Sequence, residues 1–182
     1  MRTLLEELRL IEDQALDFEQ LSHILANRVT GLRVKYTDLS SLNNRYQLHD
    51  ILPKHVNGGL VLVSARITKK VQRHWVCFMR HKNGKISYYD SLNLGPSTLS
   101  SYMHDSGYFS RFIRQIRADV NHRKHQKDAS MIKTCGLHCC VRLVSFATQD
   151  TSNSQYDHWI ASMRMAPDMI VAMLTFIGHI TI

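Results

Sequence analysis

The sequence predicts an α+β protein, with a small sheet in the first half of the chain and helices on either side of it. Three observations predict this. Residues 2–28 carry apolar side chains at three- and four-residue steps, with no Pro or Gly to interrupt them. Residues 60–65, 74–80 and 86–90 are short apolar runs of strand length, the last two joined by an Asn83-Gly84 turn signal. Beyond residue 96 helical patterns return, and the last begins at Pro167, a favoured first helical position.

In chain order, the first helix (within residues 1–30) uses Leu4, Leu8, Ile11, Ala15, Phe18, Leu21 and Leu25 as its apolar stripe. Tyr36 to Pro53 mixes short polar and apolar pieces, punctuated by Pro53 and Gly58-Gly59. Leu60 to Ala65 reads as a strand covered on both faces. Thr68 to Arg73 reads as a basic loop, and His74 to Arg80 as a second buried strand. His81 to Lys85 is a turn, and Ile86 to Asp90 returns. The turn length sets a geometric test. A two-residue Asn83-Gly84 turn places Asp90 beside Cys77, with His74 and Asp90 on opposite faces. A three-residue Lys82-Asn83-Gly84 loop, with Gly84 left-handed, places Asp90 opposite Val76 and one diagonal step from His74. Ser97 to Met103 and Ser110 to Val120 read as helices. A basic loop, Asn121 to Lys133, leads into a helix from Cys135 that can run through Phe146. A polar loop from Thr148 to Gln155 and a short piece around Trp159 precede the final helix, 167–182.

The 182 residues suit one domain with a substantial core. Adjacent Cys139 and Cys140 do not resemble a disulfide framework, and no signal peptide precedes them, so a reducing compartment inside the cell is expected. The apolar run Met169 to Ile182 contains His179 and is too short to span a bilayer, so no membrane partner is expected. Net charge is +8, unevenly spread. Between 111 and 133, seven Lys or Arg face two Asp, so five of the eight net charges sit there. Arg111, Arg114, Arg117, Arg123, Lys124 and Lys127 give association with DNA a physical basis, electrostatic and lost with salt. A solvated basic face is the plain alternative.

The chemistry centres on Lys133-Thr134-Cys135-Gly136-Leu137-His138-Cys139-Cys140. A cysteine in the first turn of a helix sits where free backbone N–H groups and the positive dipole end favour the thiolate. Gly136 allows close approach by a neighbour. A nucleophilic thiol needs a base, and the base needs an orienting group. His74 and Asp90 offer these from two strands of one sheet. An oxyanion needs donors. The backbone N–H of Cys135 is one, and the side-chain amide of Gln126 is a second. The alternative is a buried helix in which Cys135 is a small hydrophobe. A structural metal is disfavoured, because Cys135, His138 and Cys139 lie on one helix without a second ligand pair of the usual spacing. No metal or cofactor is expected. His138 is a poor base, since it leans back along the helix three residues on and leaves little room for a carbonyl.

Taken in order, His74-Trp75, Tyr89-Asp90-Ser91, Gln126 and Cys135-Gly136-Leu137-His138-Cys139-Cys140 resemble the adenovirus-type maturation cysteine proteases, whose cellular relatives process SUMO. Small size and Asp90-Ser91 look more like versions from virophages and large DNA viruses. The resemblance covers roughly residues 36–147, which it marks as the catalytic core, and it implies a papain-like, adenain-like fold with the Cys135 helix packed on the sheet bearing His74. It implies a cysteine endopeptidase with Cys135 as nucleophile, His74 as general base and acid, Asp90 as orienter, and Gln126 in the oxyanion hole. Gln126 lies nine positions before Cys135, where many members use six or seven. Asp128, at seven, is an acceptor and cannot do that job. Relatives prefer small residues, commonly glycine, before the scissile bond, and adenovirus members are stimulated by DNA and by a viral peptide. The expected role is processing of viral capsid or core precursors during virion maturation, in the virion and the host cell interior. The alternatives are a peptidase of ubiquitin-like modifiers and a non-enzymatic, nucleic-acid-binding structural protein.

Overall fold

The computed structural model describes residues 3–13, 15–26, 29–42, 45–67, 70–127 and 132–180, and its centre is a mixed five-stranded sheet. The strands lie in the order β1 (Val34–Asp38), β2 (Gly58–Ile67), β3 (Lys70–Arg80), β4 (Ile86–Tyr89) and β5 (Asp119–Val120). β2, β3 and β4 run antiparallel, while β1 and β5 flank them in parallel. The helices among the described residues are α1 (Leu4–Asp13), α2 (Phe18–Leu25), α3 (Leu48–Ile51), α4 (Pro96–Met103), α5 (Tyr108–Gln115), α6 (Cys135–Gln149), α7 (Asn153–Ser162) and α8 (Pro167–Ile180). The chain is α+β, with the sheet packed on the helix that begins at Cys135.

Alternation along β3 divides the core in two. Trp75, Cys77 and Met79 join Leu21 of α2, Leu143 and Phe146 of α6 and Ile170 of α8. Val76 and Phe78 join Leu99 of α4 and Phe109 and Phe112 of α5. Helices cover both faces, and a strand covered twice has no polar face to show in its sequence. That accounts for the unbroken apolar runs.

The hairpin takes the longer loop. Arg80 pairs with Ile86, the His81 N–H donates to the Lys85 carbonyl at 2.9 Å, and Gly84 has φ +81°. Cys77 therefore sits opposite Tyr89, and the register carries Asp90 to the level of Val76. Just beyond β3, the His81 ring bonds Ser87 through Nε2 and Asp150 through Nδ1, both at 2.8 Å. Asp150 is the left-handed cap of α6, so this imidazole pins the far end of that helix to the hairpin.

Several boundaries differ from expectation. The single N-terminal helix is two. Asp17 caps α2, accepting the Gln20 N–H at 2.9 Å, while the Leu16 carbonyl leaves the helical path to accept the Trp75 indole N–H at 3.0 Å. The helix expected to reach Val120 stops at Gln115. Arg117 turns left-handed at φ +50°, and the Ala118 N–H bonds back to the Ile113 carbonyl, which closes the helix and frees Asp119–Val120 to pair with β4. Of the expected loop Thr68 to Arg73, Lys70–Arg73 belong to β3, and residues 68–69 lie outside the described residues. Tyr36 to Pro53 holds most of β1, a 3₁₀ turn (Leu39–Leu42) and α3. α6 runs on to Gln149, and α7 begins at Asn153, inside the expected loop. Asp128, and residues 181–182 of the last helix, lie outside the described residues.

Candidate active site

β4 ends opposite Cys77, while β3 continues to Lys70. Among the described residues no strand pairs with that side of β3 from Val76 to Lys70. In an antiparallel ladder the N–H and C=O of one residue point the same way. At Trp75 the carbonyl accepts from Cys139 Sγ of α6 at 3.4 Å, and the N–H is one of the groups that lower the Cys135 pKa. The first turn of α6 thus completes the ladder that β4 leaves open, and it brings Cys135 beside the neighbour of Trp75, His74.

Close approach depends on Gly136. A Cβ there would lie 2.8 Å from Leu21 Cδ2 and 3.3 Å from Trp75 Cδ1. The space is occupied by α2 and the indole, which wedge the start of α6 against the sheet.

His74 Nε2 bonds Asp90 Oδ1 at 2.7 Å, and Cys135 lies near enough to the ring for each to shift the pKa of the other. With Nε2 committed, Nδ1 is the atom left for sulfur. Asp90 is 1% exposed. Its Oδ1 also accepts the Leu92 N–H at 2.9 Å, and its Oδ2 the Leu94 N–H at 3.0 Å. Burial alone pushes the Asp90 pKa up, but the His74 bond, its charge and these two amides hold the carboxyl below its ordinary range. Burial likewise pulls His74 down, yet bonds and charge from Asp90 and Cys135 raise it to about 10. The Cys135 thiol is lowered. Desolvation opposes the thiolate, and the His74 bond and charge, with the Trp75 and Gly136 N–H groups, overcome it. Both shifts favour the charged forms, thiolate on Cys135 and imidazolium on His74, with the Asp90 carboxylate behind the ring. A thiol and an imidazole so placed can act as nucleophile and proton donor.

Gln126 is buried and stands on the wall of the same cleft, a cavity of about 820 Å³ that also meets His74, Trp75 and Cys135. Its backbone N–H donates to the Ser91 carbonyl at 2.9 Å, and its Oε1 accepts from Ser91 Oγ at 2.8 Å. Those bonds assign Oε1 to Ser91 and leave Nε2 to donate elsewhere. One N–H of Nε2 reaches the Ile132 carbonyl at 3.2 Å, and the amide carries a second. Cys135, His74 and Gln126 line one cleft, and Asp90 stands directly behind His74.

No protein-family model matches the sequence. The chain is similar to uncharacterized protein V9 of Sputnik virophage, with 24% identity over 183 residues, 94% of this chain and 99% of that protein. A solved structure of ChlaDub1 from Chlamydia trachomatis aligns over 92% of this chain and 78% of its own at 15% identity, with a TM-score of 0.37. An overlap that low carries no argument.

Two residues at the site were not found by sequence reasoning. Asn121 follows β5, accepts the Asp90 N–H at 2.8 Å and donates to the Asp90 carbonyl at 2.8 Å, so it fixes the backbone under the carboxylate. Asp168, in the first turn of α8, bonds Thr134, His138 and the Lys127 N–H. Neither has a local signal, since each acts across 30 positions or more. Of the basic residues, Arg111 and Arg114 are exposed on α5, and Arg123, Lys124 and Lys127 are exposed beyond β5. Arg117 is also exposed and lies past the end of α5. Among the described residues no helix is long and apolar enough to cross a membrane.

Proposed function

We propose that this chain is a papain-like cysteine endopeptidase that cleaves viral capsid or core precursors during virion maturation. The observation that carries the peptidase reading is the continuous relay Asp90–His74–Cys135 at an 820 Å³ cleft. A helix-borne thiolate against a strand-borne imidazolium is the arrangement that acyl transfer by sulfur requires. The thiolate attacks the scissile carbonyl, and the Cys135 N–H and Gln126 Nε2 receive the oxyanion. Imidazolium Nδ1–H then protonates the leaving amine as the C–N bond breaks, giving a thioester and neutral His74. Neutral His74 takes a proton from water, the hydroxide adds to the thioester, and release of the acid returns thiolate and imidazolium. Asp90 stays ionised throughout and holds the ring.

The choice of substrate rests on the resemblance to maturation proteases and on a virophage relative of nearly equal length. The Trp75 indole stands on the cleft wall beside Cys135, which favours small residues next to the cut. Electrostatic association with DNA through the basic residues from Arg111 onward belongs to the same proposal.

The test is co-expression with structural proteins of the parent virus, and separately with fusions to ubiquitin-like modifiers. Wild type is expected to cleave the structural precursors, and the Cys135→Ala variant is expected to fold and leave them whole. Cleavage that survives Cys135→Ala refutes the nucleophile, and cleavage confined to the modifier fusions refutes the maturation role.

A further inference from the structure

Asp168 follows Pro167 at the start of α8, where an acidic side chain ordinarily does no more than favour a helix N-terminus. Here it turns inward and is 5% exposed. Oδ2 accepts the Lys127 N–H at 2.8 Å, while Oδ1 accepts the Thr134 hydroxyl and bonds His138 Nε2 at 3.1 Å. Burial opposes the charge, but the bonds from His138, Thr134 and Lys127 outweigh it and keep the pKa below the usual carboxylate range. His138 is fully buried, its pKa is lowered, and its Nδ1 has no partner among the described residues. It is therefore neutral with the proton on Nε2, donating to Asp168.

The three partners share a position relative to the site. Lys127 is the residue after Gln126. Thr134 is the residue before Cys135, and its carbonyl accepts the His138 N–H at 2.9 Å. Their placement must bring together two oxyanion donors that lie nine residues apart in sequence. A flexible connection would let that separation vary. One carboxylate, on a different helix, holds both ends of the connection. The Gln126 bond to Ile132 and the Lys133 N–H bond to the Glu12 carbonyl, at 2.8 Å, lie within the span it closes.

We infer that Asp168 is a positioning residue of the oxyanion hole, setting the distance between the Gln126 amide and the Cys135 N–H. It touches no substrate and acts through Lys127 and Thr134. The inference rests on the proposed peptidase function. A pre-set hole matters because the donors must meet charge that exists only in the transition state. Loosening it lowers kcat while leaving ground-state binding and the thiolate itself alone.

The experiment replaces Asp168→Asn and measures peptide cleavage beside the rate of Cys135 alkylation by iodoacetamide. An amide offers one acceptor oxygen to three donors and turns an NH2 toward one of them. The expected result is a fall in kcat of about 10- to 100-fold, the scale of a lost supporting contact, with KM changed less than about twofold. Alkylation should keep the wild-type rate, because His74 and Asp90 are untouched. A kcat within about threefold of wild type overturns the inference, and so does a parallel fall in alkylation, which would place the effect on the thiolate. If Asp168→Asn does not fold, Thr134→Val decides, since it removes one bond and keeps the carboxylate. A kcat loss at unchanged KM and melting temperature supports the inference, and an unchanged kcat overturns it. Cys135→Ala separates the two levels. Residual cleavage there overturns the peptidase reading and this inference with it. An inactive Cys135→Ala beside a fully active Asp168→Asn overturns this inference alone.

Discussion

Replacing Asp90 with Asn removes a charge from a nearly sealed site, and the geometry around the carboxylate sets the size of the loss. The carboxylate receives three hydrogen bonds, from His74 Nε2, Leu92 N–H and Leu94 N–H. An Asn that keeps Oδ1 toward His74 and Leu92 turns its NH2 toward the Leu94 N–H, donor against donor. A charge-assisted bond is worth about 1.5–3 kcal/mol, and a buried amide left without an acceptor costs about 1–3 kcal/mol. The sum agrees with the roughly 3–5 kcal/mol lost when one partner of a buried ion pair is removed. The penalty should depend on pH in a defined sense. The Asp90 pKa lies below 3.8 in the folded chain, so its contribution is present above that pH and is lost as pH falls through the folded value. The His74 pKa is raised from 6.5 to about 10, so its contribution is complete below 6.5 and is lost as pH rises through about 10. In urea unfolding, the two proteins should therefore differ most between the ordinary values of 3.8 and 6.5, and above about pH 10 the difference should shrink to the pH-independent cost of the mispaired Leu94 N–H. The same change withdraws the charge that keeps His74 protonated, so the alkylation profile of Cys135 should move to higher pH. A difference below about 1 kcal/mol in the mildly acidic range, with an unmoved alkylation profile, refutes the relay.

Three further predictions concern the packing at Gly136 and the titration of the site. Leu21→Ala should cost about 2–5 kcal/mol in urea unfolding, because Leu21 is fully buried between α2 and the start of α6. Gly136→Ala should cost about 1–3 kcal/mol by forcing a methyl to within 2.8 Å of Leu21 Cδ2, and the double variant should lose less than the sum, since the new methyl enters space that Leu21 vacates. Strict additivity would show that the two side chains do not share that space. The pH profile of kcat/KM should rise as Cys135 ionises, at a pH below 9.0, and fall as His74 loses its proton near 10. A profile whose acid limb sits in the ordinary thiol range contradicts the ion pair.

The relation of sequence to structure differs from element to element. The β3–β4 register was legible in part: the Asn-Gly turn narrowed it to two loop lengths, a His74–Asp90 pair required the longer loop or a bulge, and the structure takes the longer loop. The start of α6 at Cys135 was legible from a small, polar lead-in followed by an apolar run. β1 and β5 were not. β1 is an edge strand of mixed polarity that pairs with residues some 24 positions away, and β5 is two residues long. The break in the N-terminal helix was hidden too, because the carbonyl that leaves the helix does so for an indole donor 59 positions away.

The sequence by itself singled out the groups that meet at the cleft: a thiol at a helix start, an imidazole and a carboxylate on a hairpin, and an amide ahead of the thiol. Those depend on residue type, turn length and helix periodicity, all local quantities. Only the tertiary structure decided that β4 stops short, that α6 fills the vacant ladder at Trp75, and that Asn121 and Asp168 brace the site. These depend on where separate segments end in space, and backbone hydrogen bonding carries no side-chain code for a partner that has yet to arrive.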